Sequence, residues 1–244
     1  MRRLLSKIQR QKPSLSTEDS KQEQETSPSN TTPAPASTPA MSAALSAVKS
    51  VAIIITSIRP ARVGPTAGTV VKDVIEKPLA ADNINVSVVQ VKDFNLPVFD
   101  EPLAPAMVPD HGQLQHEHSK KWSEEIKKHD AYVLVTPEYN YGVPGSTKNA
   151  IDYLYNEWKG KPIAIVSYGI GGGSKSSAQL NEILTGMGLK VTATRPQLVF
   201  GGGQTEGFGA ITTGAISDES RKAWSESEDL GKVAGEIKEL LAAN

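Results

Sequence analysis

The sequence predicts an α/β fold: a doubly wound, five-stranded parallel sheet in the order 2-1-3-4-5, preceded by a disordered N-terminal tail. Three observations carry this. Short runs such as Val51-Ala52-Ile53-Ile54-Ile55 and Ala131-Tyr132-Val133-Leu134-Val135 are continuously apolar, as in strands buried on both faces. Between them lie segments whose apolar residues recur at helical spacing. Loops rich in Gly, Pro, Ser and Asn then follow the strands, where an alternating βα chain turns from strand to helix.

Residues 1–45 form the tail, and residues 46–244 the domain. From Pro13 to Ala40 the chain is Ser, Thr, Pro, Gln and Glu with almost no large apolar residue. Such a segment buries too little surface to offset its ordering entropy. The first twelve residues carry Arg2, Arg3, Lys7, Arg10 and Lys12 beside Leu4, Leu5 and Ile8. That pattern has something of a mitochondrial targeting segment. The acids Glu18, Asp19, Glu23 and Glu25 favour a solvated tail on a cytoplasmic protein. Met41 stands just before the domain as a second possible start.

The first strand is Lys49 to Thr56. A loop from Ser57 to Thr66 leads to a helix whose stripe is Val70, Val71, Val74 and Ile75, with Pro78 expected to end it. Ile84, Val86, Val88 and Val89 supply the second strand. Pro97, Pro102, Pro105 and Pro109 make Asp93–Pro109 a covering loop. Gln113–Lys128 is polar and helical, with Leu114, Trp122 and Ile126 facing inward. The third strand, Ala131–Val135, precedes a loop through Gly145 and a helix carrying Ile151, Leu154, Tyr155 and Trp158. Lys161–Ser167 is the fourth strand, Tyr168–Ser174 its loop, and Ser176–Met187 the next helix. Leu189–Leu198 holds the fifth strand, interrupted by Pro196. Phe200–Ala215 reads as Gly-rich loop. A last helix places Trp224, Leu230, Val233, Ile237 and Leu241 on one face.

Composition excludes several functions. The 244 residues carry a net charge of -1 and a pI near 6.4, giving no electrostatic basis for binding nucleic acid. No apolar run reaches the roughly 20 residues of a membrane span. With 0 cysteines there is no thiolate nucleophile, Cys-ligated metal or disulfide, in keeping with an intracellular protein. His111, His116 and His118 lack zinc-site spacing and read as surface residues. Asp152 and Glu157 read as salt-bridging acids rather than a catalytic pair. No Gly-x-Ser-x-Gly elbow supports hydrolysis.

In the order 2-1-3-4-5 the first, third and fourth strands are neighbours, so their loops open on one carboxyl edge, where open α/β sheets bind ligands. The first loop has phosphate-site chemistry: a helix start favours an anion, Ser57 and Thr66 bring hydroxyls, and Arg59 and Arg62 bring cationic forks. Gly-Lys-Ser/Thr is absent, so it is not a Walker loop.

The run Pro137-Glu138-Tyr139-Asn140-Tyr141, leading into Lys148-Asn149-Ala150-Ile151-Asp152, resembles the NADPH-dependent FMN reductase and quinone reductase family, whose fold is flavodoxin-like. The resemblance spans about residues 48 to 200. Family members begin the first loop Gly-Ser-x-Arg, with a hydroxyl three residues on. Ser57 and Arg59 match that pattern, whereas Thr56 replaces the glycine and Arg62 the hydroxyl.

The resemblance implies FMN, with NADPH or NADH as co-substrate. It puts the phosphate on Ser57, Arg59, Arg62 and Thr66. The ring lies against Pro137, Glu138, Tyr139, Asn140 and Tyr141, covered by Ser167, Tyr168, Gly169, Gly171 and Gly172. It implies hydride transfer through the flavin to a quinone or similar acceptor, with no catalytic side chain and no metal. A homodimer or homotetramer would close the pocket. A flavodoxin-like electron carrier or redox sensor is the alternative.

Overall fold

The computed structural model describes residues 48–109 and 113–243, so the expected tail and His111 lie outside the described residues. Strands β1 (Lys49–Ile55), β2 (Ile84–Gln90), β3 (Ala131–Pro137) and β4 (Pro162–Gly169) pair throughout in parallel. The sheet order is β2-β1-β3-β4-β5, as the sequence predicts. Each crossover carries a helix, the economical way to return a chain to a parallel neighbour.

Alternation along each strand splits the core into two layers. Val51 and Ile53 of β1 face helices α1 (Gly64–Ala80) and α7 (Glu228–Ala242). Ala52 and Ile54 face the other side, with Trp122 and Ile126 of α2 (Glu117–Lys127) and Leu180 and Leu184 of α4 (Ser174–Gly186). Both faces are covered, which is why these strands read as unbroken apolar runs.

The structure departs from expectation at six elements. Pro78 lies inside α1 rather than at its end. Leu79 stacks one turn beyond Ile75 with both fully buried, so burial carries the helix past the lost N–H donor. The helix after β3, α3 (Gly145–Asp152), starts within the predicted loop, directly after Pro144, and stops before Leu154 and Trp158. Those two are buried from a turn instead, Trp158 meeting Tyr132 edge to face at 4.9 Å.

The fifth strand is split into β5 (Lys190–Val191) and β6 (Gln197–Val199), both on β4. Pro196 has no N–H for a ladder, though its carbonyl still accepts from the Ser167 amide at 3.0 Å. The predicted Gly-rich loop contains helix α5 (Gly203–Thr213), whose Gly207 and Ala210 are buried one turn apart. The last helix is two, α6 (Asp218–Ser225) and α7. Ser217 and Ser227 cap them, each accepting the amide three residues on. The covering loop after β2 also holds short 3-10 turns at Val91–Phe94 and Pro105–Met107.

Candidate active site

The loops after β1, β3 and β4 meet at the carboxyl edge. Thr56 and Ser57 continue β1 and are buried. Thr56 is a hydroxyl hub: its Oγ1 donates to the Val135 carbonyl at 3.2 Å and accepts from Thr147 Oγ1 at 2.8 Å, while its carbonyl accepts from Ser146 Oγ at 3.0 Å. The residue that departs from the family pattern therefore ties the first loop to α3. Ser57 is fully buried, yet its Oγ has no hydrogen-bond partner. The Tyr168 hydroxyl stands close by, off hydrogen-bond geometry. A Cβ at Gly64 would collide with Ser57 Oγ, so glycine at the start of α1 keeps this polar niche open.

Arg59 joins two of the loops. Its Nε donates to the Tyr139 hydroxyl at 2.9 Å, and the guanidinium carbon lies 5.6 Å from that ring's centre. Its Nη1 donates to the Ile211 carbonyl at 3.1 Å. Arg62 turns away, giving Nη2 to Gln90 Oε1 at 2.7 Å at the end of β2, with its Nε buried and unpartnered. Thr66 Oγ1 donates to the Gly214 carbonyl at 3.4 Å. The end of α5 thus lies over the phosphate-type loop, an arrangement missed in the sequence because α5 reads as loop.

Glu206 anchors the other end of that helix. It accepts from the amides of Gly202 at 2.8 Å and Ser217 at 2.7 Å, and from Ser220 Oγ at 2.7 Å. Burial works against its charge, but these donors prevail and hold the carboxyl at about 2, below its ordinary 4.5. A depressed carboxylate stabilises the fold fully above its unfolded value and loses that contribution as pH falls toward the folded one. Glu206→Gln should therefore lower the urea midpoint at pH 7, and the difference from the parent should shrink as pH falls from 4.5 toward 2. A difference that ignores pH would place the stabilisation elsewhere.

The loop after β3 is a tight turn. Asn140 and Tyr141 are left-handed, φ 49° and 60°, and Tyr139 and Gly142 exchange backbone bonds of 3.2 and 3.0 Å. This is the type I′ pattern that Asn favours, although Tyr is an unusual second member. The Tyr139 amide is consumed by the turn, while Tyr141 is 81% exposed at its tip. Pro137 pairs with Tyr168 at the end of the strand. Glu138 caps α4, accepting from the amides of Lys175 at 2.8 Å and Ser176 at 3.3 Å. Gln179 of α4 accepts from the Val143 amide at 3.1 Å. No pattern in the sequence marks Gln179 for this task.

The loop after β4 folds back on itself. Ser167 Oγ donates to the Gly172 carbonyl at 2.7 Å, and the Gly172 amide to the Gly169 carbonyl at 3.1 Å. Gly172 is left-handed, φ 71°, and Gly171 is exposed. Burial raises the Tyr168 phenol above its ordinary value, so at neutral pH it keeps its O–H beside Ser57.

Other candidates stand apart from this edge. His118 and Tyr153 both bond Asp100 Oδ1, at 3.0 and 2.9 Å, pinning the covering loop. Among the described residues no group of three or more His, Asp or Glu can hold a metal. Asp152 pairs with Lys148 as expected, whereas Glu157 accepts from Ser123 Oγ at 2.5 Å. Among the described residues no helix is long and apolar enough to cross a membrane.

Comparison with known proteins agrees with this architecture. Residues 50–205 match the family model for NADPH-dependent FMN reductases. The NAD(P)H-dependent FMN reductase ntnL of Nectria sp is 48% identical over 195 residues, covering 78% of this chain and 96% of that protein. A quinone reductase of Pseudomonas putida is 34% identical over 128 residues, 50% of this chain and 61% of its own length. Among solved structures, the flavoenzyme NAD(P)H:(acceptor) oxidoreductase FerB of Paracoccus denitrificans covers 80% of this chain and 98% of its own. Its TM-score is 0.57 at 24% identity, a likeness of fold. A flavodoxin-like sheet, three loops converging on its carboxyl edge and a relative aligned over nearly its whole length place the chain in the NADPH-dependent FMN reductase family, among FMN-dependent oxidoreductases.

Proposed function

We propose that the chain takes hydride from NADPH or NADH and delivers it, through FMN held on these three loops, to a quinone or related acceptor by a ping-pong scheme. The observation that carries this reading is the polar niche at Ser57: a fully buried hydroxyl without a partner, at a helix start that glycine keeps open, beside an arginine fork. Those groups suit a phosphate. Arg59 uses two of its five N–H groups on Tyr139 and Ile211, so donors remain for an anion.

Bound FMN would supply hydride acceptance and electron delivery. The chain orients the ring and excludes water. The turn at Tyr139–Gly142 would present backbone at Glu138 and Asn140 to the ring, and the Gly169–Gly172 bend would cover it. The Tyr168 O–H, held protonated, and the Arg59 cation face the phosphate end. No side chain at this edge is required as acid or base. The quinone assignment draws on the Pseudomonas putida relative. A second copy closing the pocket over the exposed Tyr141 fits the same picture.

Because the loops cover the rest of the ring, donor and acceptor share one open face and bind in turn. Varying NADPH against a quinone should give parallel double-reciprocal lines, and anaerobic NADPH alone should bleach the flavin. Intersecting lines would demand a ternary complex and a separate acceptor site.

A further inference from the structure

A cavity of about 730 Å³ opens beside the first loop, between the covering loop and the start of α3. Its lining is apolar at Ile58, Val91, Leu96 and Val98 and charged at Lys92 on the covering loop and at Lys148 and Asp152 of α3. No residue of 137–141 or 167–172 lines it. Ile58, which lines the cavity, lies between Ser57 and Arg59 in the chain. The walls are held in place: Asn149 of α3 accepts from the Phe99 amide at 3.0 Å and donates to the Pro97 carbonyl at 2.6 Å.

The two cations of this cavity differ. Lys148 is neutralised by Asp152, with Nζ at 2.5 and 2.7 Å from the two carboxylate oxygens. Lys92 has no acidic partner among the described residues and stands exposed on a short 3-10 turn. The cavity therefore combines apolar lining with a net positive charge, and its size is that of a small-molecule pocket. A neutral quinone has no use for the charge. A purine carrying a phosphate uses both features, the base on the Ile58–Val98 wall and the anion on the ammonium.

We propose that this cavity takes the adenosine end of the hydride donor, with Lys92 meeting its 2′-phosphate and so selecting NADPH over NADH. This rests on the reading of the protein as an NAD(P)H-dependent enzyme. The nicotinamide would meet the flavin at the neighbouring edge, and the dinucleotide would reach past Ile58 to seat its other half.

The test uses the full, FMN-loaded chain and calorimetric titration with 2′,5′-ADP and with 5′-AMP, neither of which carries a nicotinamide. Loss of one exposed charge-assisted contact in Lys92→Ala should weaken 2′,5′-ADP about tenfold and leave 5′-AMP unchanged. kcat/KM for NADPH should fall by a similar factor, while the NADH rate serves as the internal control.

A second variant, Gly145→Leu, fills the cavity from its rim, where an added Cβ meets nothing within 4 Å. It should weaken both nucleotides and leave the flavin spectrum as in the parent. Unchanged 2′,5′-ADP affinity in both variants, or equal losses for NADPH and NADH in Lys92→Ala, overturns the assignment. Failure of NADPH to bleach the flavin strikes the donor reading instead, since 2′,5′-ADP binding judges the cavity on its own.

Discussion

Arg59→Ala is expected to weaken FMN by about ten- to hundredfold, the worth of a charge-assisted contact of roughly 1.5–3 kcal/mol. The loss has a second component. Arg59 is the only described side chain that bonds both the Tyr139 hydroxyl and the Ile211 carbonyl, so its removal also frees the turn at Tyr139–Gly142 and the end of α5. Riboflavin, which lacks the phosphate, separates the two effects. If the charge dominates, riboflavin binds parent and variant alike; if the tether dominates, both ligands weaken together. Arg59→Lys should fall between, because an ammonium keeps the charge but loses the fork that reaches two partners. Equal FMN affinity in parent and Arg59→Ala would place the phosphate elsewhere.

Gly172→Val should cost both stability and flavin. At φ 71° a β-branched residue is strained, at about 1–3 kcal/mol. Its Cβ would also stand 2.9 Å from Gln197 Cβ and 3.1 Å from Val199 Cγ2, in the strand paired with β4. Overpacking of that kind adds about 1–3 kcal/mol. The backbone must shift, and the bond from Ser167 Oγ to the Gly172 carbonyl shifts with it. Thermal melting of the apoprotein reads the strain, and flavin content after purification reads the site. Reduction by NADPH and reoxidation by quinone should slow together, since both need the ring that this bend would hold in place. A variant with parent-like melting and full flavin content would show that the bend is slack.

Several features of this chain are legible residue by residue. Val51–Ile55 and Ala131–Val135 are apolar at every position because both their faces are covered, and that pattern, with helical segments between, is enough for a parallel sheet, while its order follows from the family resemblance. The Ser57 and Tyr139 loops carry chemistry that turn formation alone does not need. The elements read wrongly share one cause. At Pro78, Gly203–Thr213 and the Trp158 segment the local pattern points one way and what lies against each decides the other: Leu79 buried beneath the helix, Ala210 against the core and Trp158 against Tyr132.

The site divides along the same line. Residue types and spacing determine that Ser57, Arg59 and the Pro137–Tyr141 run belong to one carboxyl edge, because strand order alone brings those loops together. Only the tertiary structure decides how each side chain is used. Arg59 and Arg62, three residues apart, part company because one meets Tyr139 while the other meets Gln90 at the end of a different strand. Glu138 serves as the cap of α4, and the cavity at Lys92 exists only because α3 and the covering loop pack side by side. Such pairings join residues 28 to 80 positions apart, a separation at which sequence periodicity carries no information and packing makes the choice.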